Sequence, residues 1–243
     1  MASSLPMMPD EPADRRQHPR RFDYGLLLLL LLAYLISLPI FSKLGGWAEA
    51  SGVSVLYTAI VTALLKAVWA NRKLFSSLLI AGSLSIVLRG IMMFHPALPL
   101  AWEVTDMLLG IVICGIGAVA IVVDISRRSR LSPDILVGAG CAYLLIALAW
   151  SCIFMLCLAF DPQSIVSNYS STELAAGTVH DYKTVIYFSL ATLTTLGYGD
   201  IVPASGLARI LAVLEAANGV LLLTLLMGRL VSSYVGAKVP VDR

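Results

Sequence analysis

The chain has 243 residues, 58% of them hydrophobic and only 13% charged, with a mean hydropathy of +0.86. Soluble domains carry about a quarter charged residues, so this composition belongs in a bilayer and no nucleic-acid partner is expected; the net charge of +2 is uninformative as a total, but its distribution along the chain is not. The length accommodates several membrane spans with short loops but no additional large soluble domain.

Residues 1–22 are rich in Pro, Ser and charge and are expected to be disordered and cytoplasmic. Arg15, Arg16, Arg20 and Arg21 then precede the apolar run Tyr24–Phe41. A signal core is roughly 7–15 residues, whereas this run is about as long as a full span. The Ala48-Glu49-Ala50 triplet lies well past it, beyond Lys43 and Gly45-Gly46. The run therefore reads as a retained first helix. A bilayer core needs roughly 17–25 apolar residues in a helix, and further runs of that kind cover Val53–Ala70, Leu74–Phe94, Val104–Ile125, Ile135–Phe160 and Leu207–Val235. The expected fold class is all-α, with six transmembrane helices. A seventh run, Tyr182–Thr195, is too short and too rich in Thr to cross alone, so it either re-enters or lies in a loop.

Cations fall on alternate connections. The amino end has its four arginines, the second connection Arg72 and Lys73, the fourth Arg127, Arg128 and Arg130, and the last segment Lys238 and Arg243. Connections 42–52, 95–103 and 161–181 hold only Lys43. By the positive-inside rule both ends are cytoplasmic and the seventh run faces outside. Asn168-Tyr169-Ser170 fits either a glycosylation acceptor or a plain polar loop. Cys114, Cys141, Cys152 and Cys157 all lie in apolar runs without paired metal or redox spacing, and read as buried small hydrophobes. His18, His95 and His180 are scattered over both membrane sides with no acidic cluster, which argues against an enzyme and against a resident cofactor.

The stretch after Thr194 is irregular by composition, because Gly197 and Gly199 flank Tyr198. Irregular backbone at membrane depth survives only where it is buried in protein or lines water. Glycines that take positive φ, alternating with ordinary residues, let successive carbonyls face one side. The carbonyls of Thr195, Leu196, Gly197 and Tyr198, with the Thr195 hydroxyl, then replace the hydration shell of a cation.

Thr195-Leu196-Gly197-Tyr198-Gly199-Asp200 resembles the filter of potassium channels, which reads Thr-Val-Gly-Tyr-Gly, with Leu196 in place of Val. Upstream, Tyr187-Phe188 occupies the place of the family's pore-helix aromatic pair, and Thr192-Leu193-Thr194-Thr195 its Thr-rich end. Downstream, Asp200-Ile201-Val202-Pro203 matches the filter exit. The resemblance implies a six-transmembrane, one-filter, prokaryote-like potassium channel, multi-pass in a bacterial plasma membrane, passing K+ without a cofactor. One chain holds one filter loop and no internal repeat, so a ring of four implies a homotetramer. Potassium-uptake subunits, which carry four degenerate loops in one chain, and a non-conducting regulatory pore protein are the alternatives.

The same resemblance divides the chain into a cytoplasmic amino terminus (1–22), a four-helix sensor-like domain (23–126), a linker (127–133), a pore domain (134–235) and a short tail (236–243). Tyr187 and Phe188 are then a rigid cuff around the filter, or else plain interfacial aromatics. Where many relatives have a pore-helix carboxylate to pair with the aspartate after the filter, this chain has Ala191 beside Leu190, which leaves Asp200 without that partner. Gly219 falls where relatives carry a hinge glycine, and close helix packing explains a glycine there equally well. Leu226-Met227-Gly228 stands where many voltage-gated relatives have Pro-Val-Pro. Glu215 is a carboxylate within the membrane, a costly position. It either faces the cavity or sits behind the filter, bonded to pore-helix hydroxyls.

The fourth helix, Thr105–Ile125, contains no Arg or Lys. Steep voltage gating needs several charges per subunit, so a sensor of the usual kind is not expected. Arg127, Arg128 and Arg130 set topology, Lys66 snorkels inward, and Arg89, near the outer end of the third span, has Glu103 or Asp106 within reach. The first four helices are a degenerate sensor kept as scaffold, a lipid-facing brace, or the site of a regulatory partner. With eight residues after Val235, gating by a cytoplasmic nucleotide or calcium domain is not expected.

Overall fold

The run of leucines after Tyr24 has no break-forming residue before Pro39, and it opens the structure as α1 (Tyr24–Phe41). Next come α2 (Gly46–Val68), α3 (Arg72–Phe94), α4 (Leu100–Arg127) and α5 (Pro133–Phe160), then a short α6 (Tyr182–Leu193) and a long α7 (Gly206–Lys238). The computed structural model describes residues 24–43, 46–69, 72–95, 99–127, 133–167 and 181–238. The expected disordered segment 1–22, the Asn168 acceptor, most of the 127–133 linker and the end of the tail lie outside the described residues. Among the described residues, six helices are long and apolar enough to cross a membrane; the chain is an integral membrane protein.

At several ends the helices run wider than the apolar runs. α4 reaches from Leu100 to Arg127 and α7 continues past Val235 to Lys238, because polar residues extend a helix once its apolar centre has nucleated it. The strands among the described residues form a two-stranded antiparallel ribbon. β1 (Ile165–Ser167) pairs with β2 (Ile201–Pro203), with Ile165 opposite Pro203 and Ser167 opposite Ile201. Each strand is too short for any periodicity to announce it.

Leu27, Leu31, Leu64, Leu78, Ile113, Ile121, Cys141 and Leu145 come from α1 to α5 and form one continuous core. The first four helices therefore form one body that packs onto α5 through α4 and α1. Small residues set the crossings: a Cβ on Gly110 of α4 would stand 2.8 Å from Cys152 Sγ, and one on Gly138 of α5 would stand 2.9 Å from the Tyr24 ring. The Tyr24 hydroxyl donates a short hydrogen bond to Asp124 of α4, and its amide bonds Asp134 of α5 at 3.3 Å. Cys114, Cys141 and Cys152 are buried free thiols, and Cys157 is half-buried.

Arg89 takes Asp106 of the two acids in reach. Its Nη2 lies 2.9 Å from Oδ2 and its Nε 3.1 Å from Oδ1, a bidentate pair. Ser85 adds a hydrogen bond to Asp106 at 2.8 Å, and the guanidinium stands 4.0 Å over the Tyr57 ring. The cation inside the third span is thus satisfied by α2, α3 and α4 together.

A second, smaller cluster joins Phe154 and Leu158 of α5, Ile165 of β1, Val185 and Phe188 of α6, and Ala208 of α7. α7 rests on α5 and α6 and is the least covered span: 17% of its apolar window is buried, against 28–44% for the others. Ile210, Val213, Leu214, Leu221 and Leu225 all face outward from the single chain.

Candidate functional site

α6 starts on Asp181, whose extended backbone and carboxylate form an N-cap to the Lys183 amide. Twelve residues give about 18 Å of helix, short of the roughly 30 Å hydrocarbon layer. Its last turn is wound tightly into the segment Thr194–Gly197. Thr194 N bonds Leu190 O at 3.1 Å, Thr195 N bonds Thr192 O at 2.9 Å, and the amides of Leu196 and Gly197 both turn back to Ala191 O at 2.8 and 3.3 Å. The Thr194 hydroxyl also bonds Leu190 O, at 2.7 Å, and Thr192 is half-buried in the same turn.

The backbone then alternates. Thr195, Gly197 and Gly199 have φ of 57, 55 and 78, while Leu196 and Tyr198 between them stay at negative φ. The two glycines occupy the left-handed region at little cost. Thr195 does not: a β-branched residue there is strained, and nothing in its type announces it. Among the described residues, no hydrogen bond is accepted by the backbone carbonyls of Thr195, Leu196, Gly197 or Tyr198. These residues are exposed in the single chain, so their four consecutive carbonyls are open to solvent or to an ion. Three left-handed residues, spaced by two, set the course of the backbone through this segment.

Behind this segment the aromatic pair divides its work. Phe188 is buried edge-on against Phe154, with centroids 4.9 Å apart and planes at 71°. Tyr187 stacks on Tyr198, with centroids 6.3 Å apart and planes at 4°, and its hydroxyl donates to Asp200 Oδ2 at 2.8 Å. The sequence leaves Asp200 without a partner on α6 because Ala191 cannot supply one. The structure corrects that: one turn earlier on the same face, Tyr187 reaches past Ala191 to do it. Asp200 Oδ1 also accepts from the Ile201 amide at 3.0 Å. The space that Ala191 leaves open belongs to a cavity of about 200 Å³ lined by Tyr187, Thr192, Gly197, Tyr198 and Asp200.

Gly219 lies where α7 crosses the end of α6. A Cβ there would stand 2.1 Å from the Leu193 carbonyl oxygen, an approach that only glycine permits. The same carbonyl accepts from the Tyr143 hydroxyl of α5 at 2.9 Å. Glu215 is fully buried even in the single chain, so it does not face the open side of α7. Its Oε1 lies 2.5 Å from Ser189 Oγ on α6, and Ser189 Oγ lies 2.7 Å from the Ala147 carbonyl on α5. Tyr143, Ser189 and the strain at Thr195 are the site features that the sequence did not single out. An α6 hydroxyl on the face opposite Tyr187 was the available signal for Ser189.

In this integral membrane protein the short α6, the irregular segment after it and the long α7 follow one another directly. Residues 142–235, which contain α6, the loop and most of α7, match the family model described as "Ion channel". Over 57 residues the chain is 42% identical to the calcium-gated potassium channel TvoK of Thermoplasma volcanium, a match covering 24% of this chain and 16% of that protein. Over 46 residues it is 46% identical to two-pore potassium channel 4 of Arabidopsis thaliana, covering 19% of this chain and 16% of that protein. The matched stretch thus spans about a sixth of the length of each of these curated relatives. No solved structure matches the chain.

Proposed function

We propose that the chain is one subunit of a potassium-selective channel in which four copies surround a shared axis and K+ passes passively down its gradient. The observation that carries this reading is the alternation of φ at Thr195, Gly197 and Gly199, with four unspent carbonyls from Thr195 to Tyr198. Four copies turn each carbonyl into a ring of four, and successive rings replace the hydration shell of the ion. The exposed apolar face of α7 supports assembly, since it has no cover in the single chain. The similarity of this segment to two proteins named as potassium channels supports the choice of ion.

α6 is the pore helix in this reading, entering from the outer side, with both chain ends cytoplasmic. Its carboxyl end directs partial negative charge toward the water-filled cavity beneath the filter. Tyr187, through Asp200 and Tyr198, braces the filter from behind, and Gly219, the hinge candidate, admits α7 against the end of α6. The first four helices are a brace on their own subunit's α5 and not a steep voltage sensor.

Purified protein in liposomes tests the proposal. Potassium and rubidium flux with little sodium flux is the expected result. Equal sodium and potassium flux would overturn selectivity, and a stable tetramer without flux would make the chain a non-conducting pore protein.

A further inference from the structure

Glu215 is a buried ionisable group to which conduction assigns no task. It is fully buried in α7, and so is Ser189 opposite it in α6. Three oxygens meet there from three helices: Glu215 Oε1, Ser189 Oγ at 2.5 Å from it, and the Ala147 carbonyl at 2.7 Å from the same hydroxyl. A serine hydroxyl owns one hydrogen, a carbonyl only accepts, and an ionised carboxylate only accepts. With Glu215 ionised, one of the two contacts would press two oxygens together at hydrogen-bonding distance with nothing between them.

A carboxylic acid removes the conflict. Glu215 O–H donates to Ser189 Oγ, Ser189 O–H donates to Ala147 O, and each hydrogen is used once. Glu215 Oε2, which has no hydrogen-bond partner among the described residues, is then a bare carbonyl oxygen, the less costly kind of buried polar atom to leave unmatched. Nor does any Lys, Arg or His pair with Glu215 among the described residues. An uncompensated carboxylate in a bilayer interior would be expensive.

We propose that Glu215 is a positioning residue, held as a neutral acid, that clasps α7 and α5 to α6 through Ser189. What it positions is the last turn of α6. The Ala191 carbonyl, two residues beyond Ser189, holds the amides of Leu196 and Gly197, so a shift of α6 moves the carbonyl ladder with it. This deepens the channel reading and rests on it for its functional arm alone.

The experiment uses the full chain reconstituted in lipid at neutral pH, as wild type, Glu215→Gln, Glu215→Leu and Ser189→Ala. An infrared difference spectrum, wild type minus Glu215→Gln, is expected to show the C=O band of a protonated carboxyl, displaced when Ser189 is replaced by alanine. A glutamine amide can donate to Ser189 as the acid does, so its potassium flux stays within about twofold of wild type. Leucine cannot, and flux is expected to fall about fivefold, the size of one lost buried hydrogen bond. Carboxylate bands in place of the carboxyl band would overturn the neutral acid, and equal flux in the glutamine and leucine variants would overturn the clasp. If Glu215→Leu does not assemble, the infrared arm still decides the protonation. If wild type itself does not conduct, the channel reading fails while the infrared arm stands.

Discussion

Alanine at Gly197 adds a methyl group where there is room for it, and it is nevertheless expected to abolish potassium selectivity. A Cβ built at this position meets no heavy atom within 4 Å, so a clash within the subunit is not the mechanism. The cost is in the backbone, because Gly197 holds φ at +55. An L-residue there pays roughly 1–2 kcal/mol, and a tetramer carries the substitution four times, for roughly 4–8 kcal/mol against the laddered conformation. At about 1.4 kcal/mol per decade, the lower figure already depopulates it about a thousandfold. Thr195 at φ 57 adds strain of the same kind in each subunit, so the segment has little reserve. The assay is rubidium against sodium uptake into liposomes, with Gly115→Ala as the control. Gly115 also has open space around it, but it lies inside α4, where alanine favours the helix. A Gly197→Ala protein that keeps wild-type discrimination while the control behaves as wild type would refute the idea that positive φ holds the carbonyls in line.

Gly219→Ala is expected to force α7 away from α6, since the new Cβ would meet the Leu193 carbonyl at 2.1 Å. Overpacking of this kind costs about 1–3 kcal/mol per subunit, and thermal unfolding should move to lower temperature; unchanged thermal stability would refute it. Arg89→Leu should destabilise the chain by about 2–3 kcal/mol because the partly buried Asp106 loses its cation and keeps only the Ser85 hydrogen bond. The double variant Arg89→Leu with Asp106→Leu should recover most of that loss in thermal unfolding, and equal damage from both would mean that the pair is not the relevant interaction. Current–voltage curves should show no steep activation, since α4 carries no Arg or Lys before Arg127 at its end; a gating charge of several units per channel would refute this.

What could be read from the order of residues alone was whatever the bilayer and the local backbone dictate. A span needs about twenty apolar residues in a row whatever surrounds it, so six runs foretold six helices, with only their ends misplaced. Gly197 and Gly199 carry their conformational licence in their own chemistry, so the irregular segment and its carbonyls were legible before any fold was drawn. Pairings across helices were not, because they depend on how each helix is rotated and how deep it sits. Arg89 had two acids in reach and tertiary packing chose Asp106. Asp200 was left without a partner until the pitch of α6 brought the Tyr187 hydroxyl to it. Glu215 could face either way along the sequence, and only the crossing of α5, α6 and α7 turned it onto Ser189. Thr195 marks the same boundary from the other side. Its type argues against positive φ, and the amides of Thr195, Leu196 and Gly197, drawn back to the last turn of α6, hold it there.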